Sequence, residues 1–322
     1  MSKRENTHNP EIASTDQPIT PTGADYHVPV LLQEVLDGLD IQPAGIYVDC
    51  TFGGGGHSQA ILKALGENGK LFAFDQDTDA RQNVPDDARV VFVAANFRHL
   101  QRFLRLHKAT KVNGILADLG VSSHQFNEAD RGFSIRFEGD LDMRMDKRQA
   151  LTAFDVVNTY TELRLHKLFE QYGEVTNAKT LAKTIVQVRH SASLKSIRNF
   201  KSALHAVVKG NPNRYFAQVF QALRIEVNDE LGALRELLQQ VPDLLKPGGR
   251  IAIITFHSLE DRLVKNFFRK GTFGEEETHP FENVESASEL KIITKKPITA
   301  EQEELKRNPR SRSAKLRVAE KI

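Results

Sequence analysis

The chain carries one cysteine, Cys50, in 322 residues. A lone thiol closes no disulfide within the chain and builds no Cys-based zinc site. No eighteen apolar residues run together, so no membrane span is expected, and the N-terminus lacks the apolar region of a secretory signal. These absences point to the cytoplasm. Net charge is nearly absent too, a formal +2, so the balance says little about partners. The distribution says more: residues 177–225 contain no Asp or Glu.

What is present is organised around residues 46–57. The apolar run Ile46-Tyr47-Val48 ends in Asp49, four glycines follow at Gly53 to Gly56, and an amphipathic segment runs from Ser58 to Leu65. That order predicts a strand, a tight loop and a helix. Glycines belong where backbone takes positive φ or approaches a ligand closely. The helix start adds free N–H groups and a positive dipole end. No Lys-Ser/Thr follows the glycines, so the loop is not a P-loop. Residues 70–75 form a second apolar run ending in an acid, Asp75, placed to hold ribose hydroxyls. Residues 114–118 form a third, ending in Asp118. Three strand-end acids describe one ligand-binding rim. Phe97 opens a helix beside it and reads either as core or as a cover for the flat face of a ring.

In chain order, residues 1–25 are polar and aperiodic and are expected to be a disordered tail. A helix is expected over 31–38. Strands at 46–49, 70–75, 90–93 and 114–118 alternate with helices at 57–65, 78–83 and 97–107, which argues for a parallel sheet covered on both faces. Residues 122–150 are irregular. Their run Asp140-Leu141-Asp142-Met143-Arg144-Met145-Asp146 is better explained by packing and Arg pairing than by a metal. Residues 151–222 read as wholly helical, an insertion into the alternation. Helices at 178–190 and 196–209 bury the stripes Leu181, Ile185, Val188 and Ile197, Phe200, Leu204, Val207. Their bases, among them Lys179, Lys183, Lys195, Arg198 and Lys201, fall mostly off those stripes. An acid-free solvated face is a candidate nucleic-acid surface; its plain alternative is a basic face against an acidic patch on the sheet domain. A long helix is expected over 215–240, a sharp turn at Pro247-Gly248-Gly249, a fifth strand over 250–256 ending at His257, and a helix over 259–268. A polar loop over 270–288 precedes late strands at 290–294 and 315–319, which would form the reversed edge of a seven-stranded sheet.

Several blocks now carry a specific resemblance: DCTFGGGGHS (49–58), DQD (75–77), DLGVSS (118–123), RGFS (131–134), LDMRMD (141–146), FQALRIEVN (220–228), LKPGGR (245–250), FHSLEDR (256–262) and NPRSRSAKLR (308–317). The chain resembles the bacterial small-subunit ribosomal RNA (cytosine-N4)-methyltransferases, the RsmH/MraW family, over nearly all of residues 26–320. It departs from the family's usual pattern inside 135–140, where relatives carry a Gly-Pro, and at 213–219, where they carry a Thr-Arg-Thr type string. The resemblance implies an α/β fold: a Rossmann-like S-adenosylmethionine (SAM)-dependent methyltransferase sheet, seven-stranded and mostly parallel, with an inserted all-helical domain. The expected division is a tail at 1–25, a SAM-binding domain at 26–125 and 218–322, and a helical substrate-recognition domain at 126–217. It implies methyl transfer from SAM to N4 of one cytosine in the decoding centre of 16S rRNA within the small subunit. Gly55, Gly56 and His57 match the loop on the methionine part of SAM, Asp75 the acid on the ribose, Phe97 the residue beside the adenine, and Asp118 and Gln125 the remaining contacts.

The chemistry fits that implication. Transfer from a sulfonium needs the amine lone pair aligned behind the methyl carbon in a dry site. An acceptor for an N4 hydrogen returns electron density to the nitrogen, and Asp118 is the best-placed candidate catalytic residue. The base must leave its stack to arrive; Arg131, Phe133 and Arg144 are candidates to hold it, with Lys195, Arg198 and Lys201 on the RNA. Cys50 reads as a small core residue, which argues against cytosine C5 chemistry, and His257 reads as catalytic or structural. No metal and no membrane partner are expected, and a homodimer stays open. The competing readings are an NAD-dependent dehydrogenase, which leaves the acid-free helices unexplained; a non-catalytic SAM-binding assembly factor, which predicts binding without turnover; and a methyltransferase acting on another substrate.

Overall fold

The structure is a computed structural model and describes residues 29–273 and 288–322. The tail expected over 1–25 and residues 274–287 of the loop expected over 270–288 lie outside the described residues. The first half of the sheet is built from α1 (Leu32–Leu39), β1 (Ile46–Asp49), α2 (Gly56–Ala64), β2 (Lys70–Phe74), β3 (Val90–Val93), α3 (Leu100–Leu106) and β4 (Val112–Asp118). A helical run follows: α4 (Ser123–Asn127), α5 (Ala153–Thr159), α6 (Glu162–Gln171), α7 (Ala178–Val188), α8 (Ile197–Leu204), α9 (Pro212–Asn228) and α10 (Glu230–Leu244). The chain then returns to the sheet through β5 (Leu245–Thr255), α11 (Ser258–Lys270), β6 (Leu290–Ile292), α12 (Gln302–Arg307) and β7 (Lys315–Lys321).

The strands form one seven-stranded sheet in the order β3-β2-β1-β4-β5-β7-β6. Strands β1 to β5 run parallel to one another. The expected late pair is there, but only β7 is reversed: β6 pairs antiparallel to β7 and so regains the common direction. Side chains alternate across each strand. Tyr47, Leu71, Leu116 and Ala252 face a core shared with α1 and α2. Val48, Phe72, Ile115 and Ile251 face a core shared with α3, α10 and α11. Both faces are thus covered, as a parallel sheet requires. From β1 the chain crosses to β2 on one side and has β4 on the other, so the carboxyl ends of β1 and β4 flank a crevice.

The helices α5 to α9 gather a core of their own around Val156, Leu168, Ile185, Phe200 and Leu223. Leu141, Met143 and Met145 reach into it from the irregular segment before α5. The aspartates beside those residues pair with arginines, Asp142 with Arg144 and Asp146 with Arg148. Helix α9 runs unbroken through residue 217, expected as the end of the insertion, and buries Val219, Phe220 and Val227 in the same core.

Three elements differ from expectation for local reasons. The long helix over 215–240 is two, α9 and α10, because Asp229 takes a left-handed conformation at φ 46°. The helix over 78–83 is a 3₁₀ helix, Thr78–Asn83, opened by the Asp77 carboxylate accepting the Asp79 N–H and followed closely by Pro85, which cannot continue it. The fifth strand begins before the Pro-Gly-Gly turn: Leu245 pairs with Val112, the chain bulges through Gly248 at φ 76°, and Arg250 resumes pairing opposite Gly114.

Candidate functional site

The crevice holds a cavity of about 470 Å³ lined by residues from the ends of β1, β2, β4 and β5, a size suited to a small-molecule ligand. Its floor is the loop after β1. Asp49 is buried and anchors that loop: Oδ1 accepts the Thr51 N–H and Oδ2 the Ser58 hydroxyl. Thr51 Oγ1 accepts the Asp118 N–H at 2.7 Å, tying β1 to β4. Gly55 takes φ 77° to cap α2, and its N–H donates to the Phe52 carbonyl. Gly56 is forced by proximity, since a Cβ there would lie 2.4 Å from Pro29 Cγ.

Asp75 faces the cavity from the end of β2. Its Oδ2 accepts the Gly53 N–H at 2.7 Å and its Oδ1 the Asp77 N–H at 2.8 Å. A carboxylate has about four lone-pair directions, so acceptor capacity remains. Burial pushes its carboxyl up to about 7, against the pull of those two N–H groups. Asp118 stands opposite. Burial raises its carboxyl to about 6; His57 works against that rise, while Asp49 and Glu260 add to it. Asp118 Oδ1 is buried and has no hydrogen-bond partner. Its other oxygen lies 3.7 Å from His57 Nδ1. His57 Nε2 is 3.0 Å from the Val30 carbonyl, which holds the ring in place beside Asp118.

Of the expected site residues, Gly56, His57, Asp75, Phe97, Asp118 and Gln125 line this one cavity; Gly55 caps the helix directly beneath it. Gln125 is buried and partly committed, its Oε1 accepting the Ser122 N–H and its Nε2 donating to Asp77 Oδ2. The residues expected on the RNA are not brought here. Arg131 lies inside, with Nη1 2.8 Å from Asp77 Oδ2 and Nη2 donating to the carbonyls of Arg144 and Met145. Phe133 is 7% exposed in the helical core. Arg144 grips Asp142 and donates to the carbonyls of Lys147 and Gln149. The two arginines turn inward for one reason: an irregular segment has no ladder for its carbonyls, so side chains must satisfy them. Lys195 pairs with Asp140, Arg198 with Glu138, and the half-buried Lys201 donates to the Ile135 carbonyl. The acids that meet this basic face come from the loop before α5.

Other walls of the cavity were not singled out in the sequence, among them Phe256, Glu260, Asn228 and Glu230. The first three sit inside the FHSLEDR and FQALRIEVN blocks, and that was the available signal. Glu260 Oε2 accepts the N–H groups of Phe256 and His257, and His257 Nδ1 accepts the Glu260 N–H. Burial works upward on Glu260, but His257, Arg224 and the Phe256 N–H together bring its carboxyl below the ordinary value. Glu230, His257 and Glu260 bring potential ligand atoms within 4.8 Å of one another. Two of the three are already engaged: Glu230 holds the Arg224 guanidinium through both oxygens and Glu260 Oε2 accepts two backbone N–H groups, while His257 Nε2 lies 3.2 Å from Glu260 Oε1 without a hydrogen bond. Among the described residues no helix is long and apolar enough to cross a membrane.

Comparison with known proteins gives a consistent result. The model of the MraW methylase family matches residues 24–322. A protein of Parabacteroides distasonis named ribosomal RNA small subunit methyltransferase H is 53% identical over 92% of this chain and 98% of its own length. Proteins of the same name from Bacteroides thetaiotaomicron and Flavobacterium johnsoniae are each 52% identical, covering 92% and 94% of this chain and 97% and 99% of theirs.

Proposed function

The chain belongs to the MraW methylase family, and on that premise we propose that it methylates the exocyclic N4 of one cytosine in small-subunit 16S ribosomal RNA, using SAM. The observation that carries the reading is Asp118 Oδ1, a buried acceptor with no partner in a cavity at the end of β4. An unpaired buried carboxylate oxygen is costly unless a ligand completes it.

The residues present fit SAM. The Gly55–His57 turn would hold its methionine part, Asp75 its ribose through the acceptor capacity left beside the Gly53 and Asp77 bonds, and Phe97 its adenine, with Asp118 and Gln125 completing the contacts. Bound SAM supplies a methyl group on a sulfonium, open to in-line attack. The work of the chain is to exclude water, align the amine and take its proton. Asp118 Oδ1 accepts an N4–H, which returns lone-pair density to nitrogen. As nitrogen gains the methyl, its proton passes to Asp118, whose raised affinity suits it to that step near neutral pH. This differs from a positioned water doing the same work, because a fixed carboxylate needs no reorganisation during transfer.

We take residues 126–217 as the helical region that meets the RNA, with Lys195, Arg198 and Lys201 on the contact face together with Lys179 and Lys183. Exposed bases suit backbone recognition, which is spread over many phosphates. Such a substrate also suits a cytoplasmic protein. The test is to incubate pure protein with methyl-labelled SAM and unmethylated small subunits, then digest the RNA and identify the labelled nucleoside. N4-methylcytidine at a single position is expected. Label at C5 or on ribose keeps the methyltransferase and overturns the chemistry. Tight SAM binding with no transfer to RNA supports the non-catalytic assembly-factor reading instead.

A further inference from the structure

The cofactor cavity has a neighbour. A second cavity of about 460 Å³ shares Gly120, Val121, Asn127, Phe256 and Arg310 with the first. The shared wall begins two residues beyond Asp118, which lines the first cavity and not the second. Its other walls include Phe126, Phe137 and Arg136, and no acid is among the described residues that line it.

The chemistry of those walls is distinctive. Phe137 is 41% exposed, a large ring left at the surface. Beside it Arg136 is exposed, and its guanidinium makes no hydrogen bond or ion pair among the described residues. Arg310 is held differently. It donates to Ser123 Oγ and Asn127 Oδ1 and lies over the Phe126 ring, 5.0 Å from its centre. With Oδ1 of Asn127 occupied, its amide N–H groups remain as donors at the wall between the cavities. Rings, guanidinium groups and an amide donor, with no carboxylate, suit a nucleotide. A ring stacks a base, a guanidinium meets a phosphate, and an N–H donor matches the N3 and O2 acceptors beside the amine of cytosine.

We propose that the second cavity receives the unstacked acceptor nucleotide, with its base against Phe137 and Phe256, its phosphate on Arg136 and Asn127 on its pyrimidine edge, so that N4 passes Gly120 to reach Asp118. The assignment rests on reading the first cavity as the methyl-donor site and supplies the acceptor half of that site. It also removes the need for Arg131 and Phe133, which lie inside, to hold the base.

The test uses the full chain and unmethylated small subunits at saturating SAM, with Arg136→Ala and Phe137→Ala. Both side chains are exposed, and SAM affinity serves as the check on folding. Each variant is expected to raise KM for the subunit about tenfold and to leave the SAM Kd within about twofold. Arg136→Ala is also expected to flatten the salt dependence of kcat/KM by about one counter-ion, and Arg136→Lys to restore it. A subunit carrying a photoreactive 4-thiopyrimidine at the acceptor position is expected to crosslink to the peptide holding Phe126 to Phe137 or to that holding Phe256. If wild-type protein methylates the RNA while both variants keep its KM and salt slope and the crosslink falls elsewhere, the subsite is wrong and the methyltransferase reading stands. If wild-type protein binds SAM and transfers nothing to the RNA, the underlying reading fails and the subsite falls with it.

Discussion

At the carboxyl edge of the sheet, Asp75, Asp118 and Glu260 line one cavity, with Asp49 buried beside them; on α7, on α8 and just before α8, Lys179, Lys183, Arg198 and Lys195 stand exposed to water. The two regions gather charge of opposite sign and hold it oppositely. Each acid at the edge has a fixed partner or a conspicuous vacancy. Asp49 has Ser58 and Thr51, Glu260 has His257, and Asp118 Oδ1 has no partner. Burial then sets their proton affinities, so single positions matter. The bases are screened by solvent and in two cases face acids of their own chain, Asp140 and Glu138. A phosphate backbone is met by many such groups, each worth little. On the proposed function, chemistry is concentrated in this molecule and recognition is distributed, and substitutions can break or sharpen that contrast.

The largest effect is expected at Asp118. Asp118→Asn keeps the shape and removes the proton acceptor, so kcat should fall about 10²- to 10⁴-fold. The pH profile adds a second reading. A carboxyl raised to about 6 is mostly protonated below that pH, so wild-type activity should climb as pH rises through about 6, and the inflection should vanish in Asp118→Asn. Stability runs the other way. The folded state binds the proton more tightly than the unfolded chain, so stability falls as pH rises from about 4 through 6, and further toward 7 because of Asp75. A wild-type rate flat between pH 5 and 7 would remove Asp118 as the acceptor.

Asp75→Ala comes next. It removes acceptors for ribose and also strands the Gly53 and Asp77 N–H groups. Charge-assisted hydrogen bonds of this kind contribute about 1.5–3 kcal/mol, so SAM should bind roughly 10- to 100-fold more weakly by calorimetry. Unchanged affinity would count against the ribose role. On the recognition side, Lys195, Arg198 and Lys201 changed together to Glu should lower kcat/KM on small subunits about 100-fold with SAM affinity intact, because three reversals set new acids beside Glu138 and Asp140 and against phosphates. Full activity would return the acid-free face to a structural role.

The same contrast explains what was legible in the sequence. The glycine loop and its strand-end acids were readable because strand, loop and helix lie within a few residues, and the periods that define them are local. The basic face was readable because an acid-free stretch needs no fold to be seen. The acids that meet it were not, since Glu138 and Asp140 sit in an irregular segment with no period to say where they point. The same gap put Arg131 and Phe133 on the RNA when they lie inside. Glu260 and Phe256 were missed as cavity walls because only the placement of β5 beside β4 delivers them. The break at Asp229 has neither glycine nor proline to announce it, and the return of β6 to the common direction is a matter of tertiary pairing.

The smallest effect sharpens the comparison most. Arg198 and Glu138 form an ion pair with both side chains mostly exposed, 69% and 64%. An exposed pair contributes about 0–1 kcal/mol, and on the proposed function the acid within it competes with RNA phosphate for the same guanidinium. Glu138→Gln removes that competitor and keeps the size. Thermal stability should shift by no more than a degree or two for a chain of this length, SAM affinity should hold, and KM for the subunit should fall by a fewfold at low salt, the gain fading as salt screens it. Loss of activity in Glu138→Gln would mean that the loop before α5 needs this pair for its shape, and that charge on the recognition side is fixed in place as tightly as charge at the sheet edge.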